Sequence, residues 1–146
     1  MLPIFEHFAD GKTLYEKMVL PVCRQFDLTH MEFTVLMFLQ NNPQYDTAAQ
    51  IARVRQLTKS HVSVSLKSLQ ERGLVEGIYF PGNQRKVHLR LTAKAEPVVK
   101  AGFAAQAAFG ARLVQGFTAE EIELLRILLE RMHNNMKQEE SDDARE

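Results

Sequence analysis

Hydroxyls, ammonium groups and a guanidinium are the groups in this 146-residue sequence whose types and spacing could do chemistry. Thr58, Lys59, Ser60, His61, Ser63, Val64 and Lys67 fall within one helical stretch, and Arg85 and Lys86 follow just beyond a turn. On a helical wheel Val62, Leu66 and Leu69 share one side at i, i+4 and i+7, which makes a core-facing stripe. Ser60, Val64, Lys67 and Glu71 lie opposite, with His61 and Ser63 on the flanks. A surface helix without a task usually carries long Lys, Glu and Arg side chains on that side. Here the outer face is small and polar, so a partner's backbone or base edges can approach closely. The chemistry offered is hydrogen bonding and charge neutralisation, not bond making.

Other chemistry is poorly supported. The sequence has no Gly-rich phosphate loop, no nucleophile motif and no paired carboxylates in a recognisable setting, so the chain reads as a non-enzyme. Glu120, Glu121 and Glu123 open a helix, where acids suit the dipole. Cys23, His30 and Glu32 lie near one another in sequence, with His7, His88 and His133 elsewhere, but they lack the close Cys or His pairs of a zinc site. No metal and no cofactor is expected. The single cysteine, Cys23, excludes an intrachain disulfide and fits a reducing compartment. Its place beside an apolar stripe predicts an inert thiol, since reactivity needs exposure and a lowered pKa.

The net charge is zero, but it is unevenly spread. Residues 47–92 hold eight Lys or Arg against two Glu, a net +6, whereas residues 120–146 hold four basic and nine acidic residues, a net −5. A neutral total thus hides a basic middle segment and an acidic tail. No apolar run approaches the ~20 residues that span a bilayer, and the start lacks a basic region followed by an apolar one. The expectation is one cytoplasmic domain with no membrane partner.

The elements that must position the polar face are legible from their ends. Thr58 is an N-cap, and Gly73 sits where a left-handed C-terminal residue is wanted. Thr47 to Gln50 fits a capping box for a shorter preceding helix, with Ile51 and Val54 as its inner side and only residues 55–57 before Thr58. That is a helix-turn-helix. Val75 to Phe80 then reads as a strand, residues 81–84 as a turn, and Arg85 to Leu91 as a second strand. In the second strand Val87, Leu89 and Leu91 alternate with Lys86, His88 and Arg90. A helix-turn-helix followed by a basic hairpin is a winged helix, and such a wing suits a DNA backbone or minor groove.

Flanking helices complete the reading. Residues 4–26 are helical, interrupted near Asp10 and Gly11 and ended or bent by Pro21, with Phe8, Tyr15, Met18, Val19, Val22 and Phe26 at helical spacing. Thr29 to Glu32 is a capping box, followed by Phe33, Leu36 and Leu39 or Gln40, with Asn41 to Pro43 as the stop. Thr92 is expected to cap a long helix to about Gln115, rich in Ala and Gly. Thr118 to Glu121 gives a third box, and Ile122, Leu125, Leu128, Leu129, Met132 and Met136 form a stripe on the last helix. The charged tail, residues 137–146, is expected to fray.

This order resembles the MarR family of bacterial transcription regulators over nearly the whole chain. The segment Leu69 to Val75 is similar to the family's recognition-helix ending, and Asn83 to Arg85 with Leu89 to Thr92 is similar to its wing. Two departures stand out. Asn83 replaces the Asp that commonly steadies the wing arginine, and Val64 stands where Arg or another polar residue is frequent. The resemblance implies a mainly α fold with residues 29–92 as the DNA-binding lobe. Residues 4–26 and 93–136 would be the dimerisation helices. It further implies a homodimer on an inverted-repeat operator in double-stranded DNA, acting as a repressor and released by a small-molecule ligand or another signal. Phe26, Met31, Phe33 and Met37 are candidate pocket residues as well as candidate core. The alternatives are a protein-interaction adaptor without a DNA target, and a redox- or metal-sensing regulator.

Overall fold

A computed structural model describes residues 4–143. The chain divides into two compact units, residues 1–109 and 110–146. The first unit holds α1 (Ile4–Gln25), α2 (His30–Asn41), α3 (Ala48–Val54), α4 (Lys59–Glu71), β1 (Val75–Phe80), β2 (Asn83–Leu91), a short 3-10 turn (Ala93–Ala95) and most of α5 (Glu96–Leu113). This is the mainly helical winged-helix architecture expected from the sequence.

Helix α2 lies at the centre. Phe33, Val35 and Leu36 are fully buried, and Met37, Phe38 and Leu39 nearly so. The expected single stripe is therefore too narrow: a helix apolar on most sides is surrounded by other elements, and between its ends only Thr34 is partly exposed. Val19 and Val22 of α1, Ile51 and Ala52 of α3, Val62, Leu66 and Leu69 of α4, Val75 and Leu89 of the hairpin, and Val98 of α5 complete the core. Each fully buried Val, Leu, Ile or Phe contributes on the order of 1.5–3 kcal/mol of transfer free energy. Val54, expected on the inner side of α3, is instead 40 % exposed, and Ala52 takes the buried place.

The caps fix the helix ends. Thr29 and Thr47 each accept from the N–H three residues on, and Glu32 and Gln50 reach back to complete both boxes. Helix α4 ends in a Schellman pair: Leu74 N–H donates to the Leu69 carbonyl at 2.9 Å and Gly73 N–H to that of Gln70 at 3.0 Å. Gly73 has φ +71, a backbone conformation that costs glycine little. Thr92 does not cap by its side chain. Its hydroxyl donates to the Gly73 carbonyl at 2.6 Å, tying the end of β2 to the end of α4.

Helix α1 runs unbroken through Asp10 and Gly11 and continues past Pro21 to Gln25. Pro21 removes one backbone hydrogen bond near the helix end, and the adjacent Val19, Val22 and Cys23 are buried, which holds the last turn in place. Helix α5 crosses α2 closely at Gly102, where a Cβ would meet Met37 Sδ at 2.5 Å and Phe33 Cε2 at 3.2 Å. Gln106 of α5 joins Tyr15 of α1 at 3.0 Å and Asn41 of α2 at 3.4 Å.

The second unit contains the end of α5 and α6 (Ala119–Asp143). Thr118 and Glu121 exchange bonds at 2.8 and 3.2 Å, the expected third capping box. Helical backbone reaches Asp143, into the segment expected to fray from Lys137. The α6 stripe of Ile122, Leu128, Leu129, Met132 and Met136 is exposed in the single chain, as are Leu124 and Ile127 on another side. Among the described residues no helix is long and apolar enough to cross a membrane.

Candidate nucleic-acid interface

The outer side of α4 is open to solvent. Lys59, Ser60, His61, Ser63, Val64 and Lys67 are all exposed, while Val62, Ser65, Leu66 and Leu69 are buried beneath them. Thr58 is also exposed, but its hydroxyl oxygen accepts from His61 N–H at 3.3 Å and lies 3.4 Å from Ser60 Oγ. The cap therefore occupies a lone pair of Thr58 and leaves its O–H free to donate onward. Lys67 Nζ is 4.0 Å from Glu71 Oε1, an exposed i,i+4 pair of the kind that contributes little. Val64 is 69 % exposed, the largest apolar group on this face.

The wing departs from a regular hairpin. Strand β1 pairs with β2 in register from Val75↔Leu91 to Tyr79↔Val87, and then the register jumps so that Phe80 pairs with Asn83. A continuous ladder would have brought Lys86 opposite Phe80. Gln84, Arg85 and Lys86 thus form a bulge without cross-strand partners. Bulges re-aim side chains and twist the strand end. Arg85 and Lys86 are exposed, and neither makes an ion pair among the described residues. Pro81 followed by Gly82 at φ +87 is the order a type II turn asks for, so the turn is shorter than the four residues expected.

The other basic residues of the hairpin are committed. Arg90 Nε donates to cross-strand Glu76 at 2.7 Å. His88 Nδ1 lies 2.9 Å from both oxygens of Asp46, and its ring meets the Phe80 ring edge-on at 4.7 Å. The outer side of β2 is therefore not a uniform basic stripe. Its free cations are concentrated at the bulge. Two further cations, to which the sequence pattern assigns no role, are Arg53 and Arg55, exposed around the turn into α4. Their position just before the Thr58 cap is the signal that could have found them.

Cys23 is buried, with 4 % exposure. Burial pushes its thiol pKa up, a backbone hydrogen bond opposes this, and the Glu32 carboxylate adds to the rise. Among the described residues no cluster of three His, Cys, Asp or Glu side chains could hold a metal ion. A cleft of about 500 Å³ opens beside α2, lined by Tyr15, Met37, Phe38, Phe109, Asn41 and Arg55 among others. Of the pocket candidates named from sequence, only Met37 lines it. Phe33 is wholly core, and Phe26 and Met31 pack against the core from its edge.

A capped helix-turn-helix with an open polar face, followed directly by a two-stranded wing, defines a winged-helix protein. Residues 26–85 match the family model described as MarR family. Solved structures agree over nearly the whole chain. A MarR family transcriptional regulator from Listeria monocytogenes, solved with a 26mer DNA, has a TM-score of 0.80 at 17 % identity, covering 95 % of this chain and 91 % of that one. The transcriptional regulator SlyA gives 0.79 at 17 %, covering 94 % and 96 %. A mutant MarR from E. coli, solved with operator DNA, gives 0.69 at 19 %, covering 90 % and 94 %. The chain has a winged-helix fold similar to that of MarR family regulators, and its residues 26–85 match that family's model.

Proposed function

We propose that this protein binds double-stranded DNA in a sequence-specific manner and regulates transcription, as a repressor released by a signal. One observation carries the reading: the exposed small polar face of α4 is followed by a wing whose uncommitted cations, Arg85 and Lys86, sit together on a bulge. Helix α4 enters the major groove, where Lys59 and the hydroxyls of Thr58, Ser60 and Ser63 meet phosphates or base edges. His61 hydrogen-bonds a base edge and Val64 meets a thymine methyl. Lys67, late in the helix, meets a phosphate. Arg85, with Lys86, reaches the adjacent minor groove or backbone. That the Listeria and E. coli structural neighbours were solved with DNA supports the DNA-binding reading.

The protein acts as a homodimer on an inverted repeat. Exposed Phe8 and Leu20 on α1 and the exposed stripe of α6 are the apolar surface that a second copy would cover. The cleft beside α2 is where a small molecule would act: Tyr15, Phe38 and Phe109 give it aromatic walls, and Lys12 and Arg55 give it positive charge. An adaptor role without DNA leaves the free cations of the wing and of the turn before α4 without a purpose. The test is selection of bound sequences from a random double-stranded library, followed by a gel shift on the winner. Enrichment of an inverted repeat supports the proposal. Enrichment of nothing, at low salt and micromolar protein, contradicts it.

A further inference from the structure

Arg72 is a cation in the basic segment that does not share the outer face of α4. At about 100° per residue it lies roughly 140° round the helix from Lys67. It is the C-cap residue of α4, and its guanidinium is spent on the far side. Helix α1 ends with Asp27 at φ +52, its N–H bonded to Arg24 and that of Leu28 to Cys23, which turns the Phe26 and Asp27 carbonyls outward. Arg72 Nη2 donates to the Phe26 carbonyl at 2.5 Å and Nη1 to that of Asp27 at 2.7 Å. Nη1 also lies 3.4 Å from Glu32 Oε2, the same oxygen that closes the capping box of α2. A forked cation suits the negative end of a helix dipole, and here it joins that end of α1 to an acid in the first turn of α2.

The backbone at the same point is held from another side. Lys94 Nζ donates to the Arg72 carbonyl at 2.7 Å, one residue from the Thr92–Gly73 bond. The C-terminal end of α4 is thereby fastened to the end of α1, the start of α2 and the approach to α5. Its N-terminal end is held by its own cap and by packing on α2 and α3.

We propose that Arg72 is a positioning residue: without touching DNA, it fixes the angle of the recognition helix to α1 and so sets which half-site spacing the dimer accepts. The spacing claim rests on the DNA-binding reading above; the fastening does not. In a symmetric dimer held through α1 and the C-terminal helices, a loosened α4 changes the separation of the two recognition helices while leaving every DNA-facing side chain in place.

The test has two arms. In the first, spin labels at Lys17→Cys and Ser60→Cys, in a Cys23→Ser background diluted with unlabelled protein, report the α1–α4 distance in the full-length chain without DNA. The parent should give one narrow distance, and Arg72→Ala a broader or shifted one. Arg72→Lys keeps the charge but cannot fork; it should broaden as well, which keeps the test decisive if the alanine variant does not fold. An unchanged distribution in both variants overturns the proposal. The second arm titrates an operator and versions with one base pair added or removed between half-sites. Arg72→Lys should lose about tenfold at the preferred spacing and roughly nothing at the altered ones, with the salt slope unchanged. Equal loss at all spacings in Arg72→Lys, with Arg72→Ala lowering the salt slope by about one, would make Arg72 a phosphate contact and overturn the proposal. A parent that binds no DNA sinks the regulator reading and the spacing claim with it, while the distance arm still decides whether Arg72 holds the helix.

Discussion

Val64 and Lys67 occupy neighbouring places on the outer face of α4 and should do different work. Val64 has no polar atom to read a base, so its exposed methyl groups suit a thymine methyl. Val64→Ser is expected to change affinity modestly and to relax preference at one T·A pair per half-site, by on the order of 1 kcal/mol. Lys67 is only loosely engaged by Glu71 and can swing to a phosphate. Lys67→Ala should weaken all sequences alike and lower the salt slope by about one. Titration over single-base operator variants separates them; altered base preference in Lys67→Ala but not in Val64→Ser would reverse the two assignments. Cys23 is a third residue-scale case. Its raised pKa keeps the folded thiol protonated where the unfolded chain already ionises. Its contribution to stability is therefore complete below the unfolded thiol pKa and is lost as pH rises through the folded one. Stability of the wild type should fall over that alkaline window with a component absent from Cys23→Ser, measured by urea melts. Native Cys23 should label slowly at neutral pH. Rapid labelling, with oxidant releasing DNA from wild type but not from the serine variant, would show a sensor instead.

Among the elements, those closed by side-chain chemistry were legible in the sequence. Thr29, Thr47, Thr58 and Thr118 mark helix starts because each cap is a local hydrogen bond, and Gly73 marks an end because its φ is local too. Strand β1 and the buried stripe of α4 also follow from local pattern. What was not legible depends on distant contacts. Helix α1 survives Pro21 because its last turn is packed, and Val54 is exposed because a helix of seven residues buries only part of its circumference. The bulge at residues 84–86 is a register event between strands, invisible to alternation within one strand. Likewise His88 and Arg90 look free in sequence, while Asp46 and Glu76 engage them in the fold. At this scale Gly102 gives a sharp prediction. Adding a methyl group drives it against Met37 and Phe33, and such overpacking typically costs about 1–3 kcal/mol. Better helix propensity returns up to ~1 kcal/mol. Gly102→Ala should lower the urea midpoint at unchanged slope; a raised midpoint would mean that Met37 yields freely and that α2 and α5 are not closely fitted.

At the scale of the whole molecule, a basic winged unit is accompanied by an amphipathic C-terminal helix whose apolar stripe is exposed in the single chain. Light scattering should find a dimer at micromolar concentration. Replacing Leu129 and Met132 together by Glu should give a monomer that remains helical and binds DNA far more weakly. A wild type that is already a stable monomer would remove the basis for an inverted-repeat site. The central claim, that α4 and the wing dock together on DNA, is tested most directly by one titration. Wild type, Arg85→Ala, Lys67→Ala and Val64→Ser are measured on the selected operator, on a scrambled duplex and on operators with A·T-rich or G·C-rich flanks, at two salt concentrations. Wild type should prefer the operator by roughly 10³-fold or more. Arg85→Ala should lose affinity strongly, and most where the flanks are A·T-rich, because a narrow minor groove draws a guanidinium in. Indifference of wild type to sequence, with no loss in any of the three variants, would contradict the docking and favour a winged helix used for protein contacts.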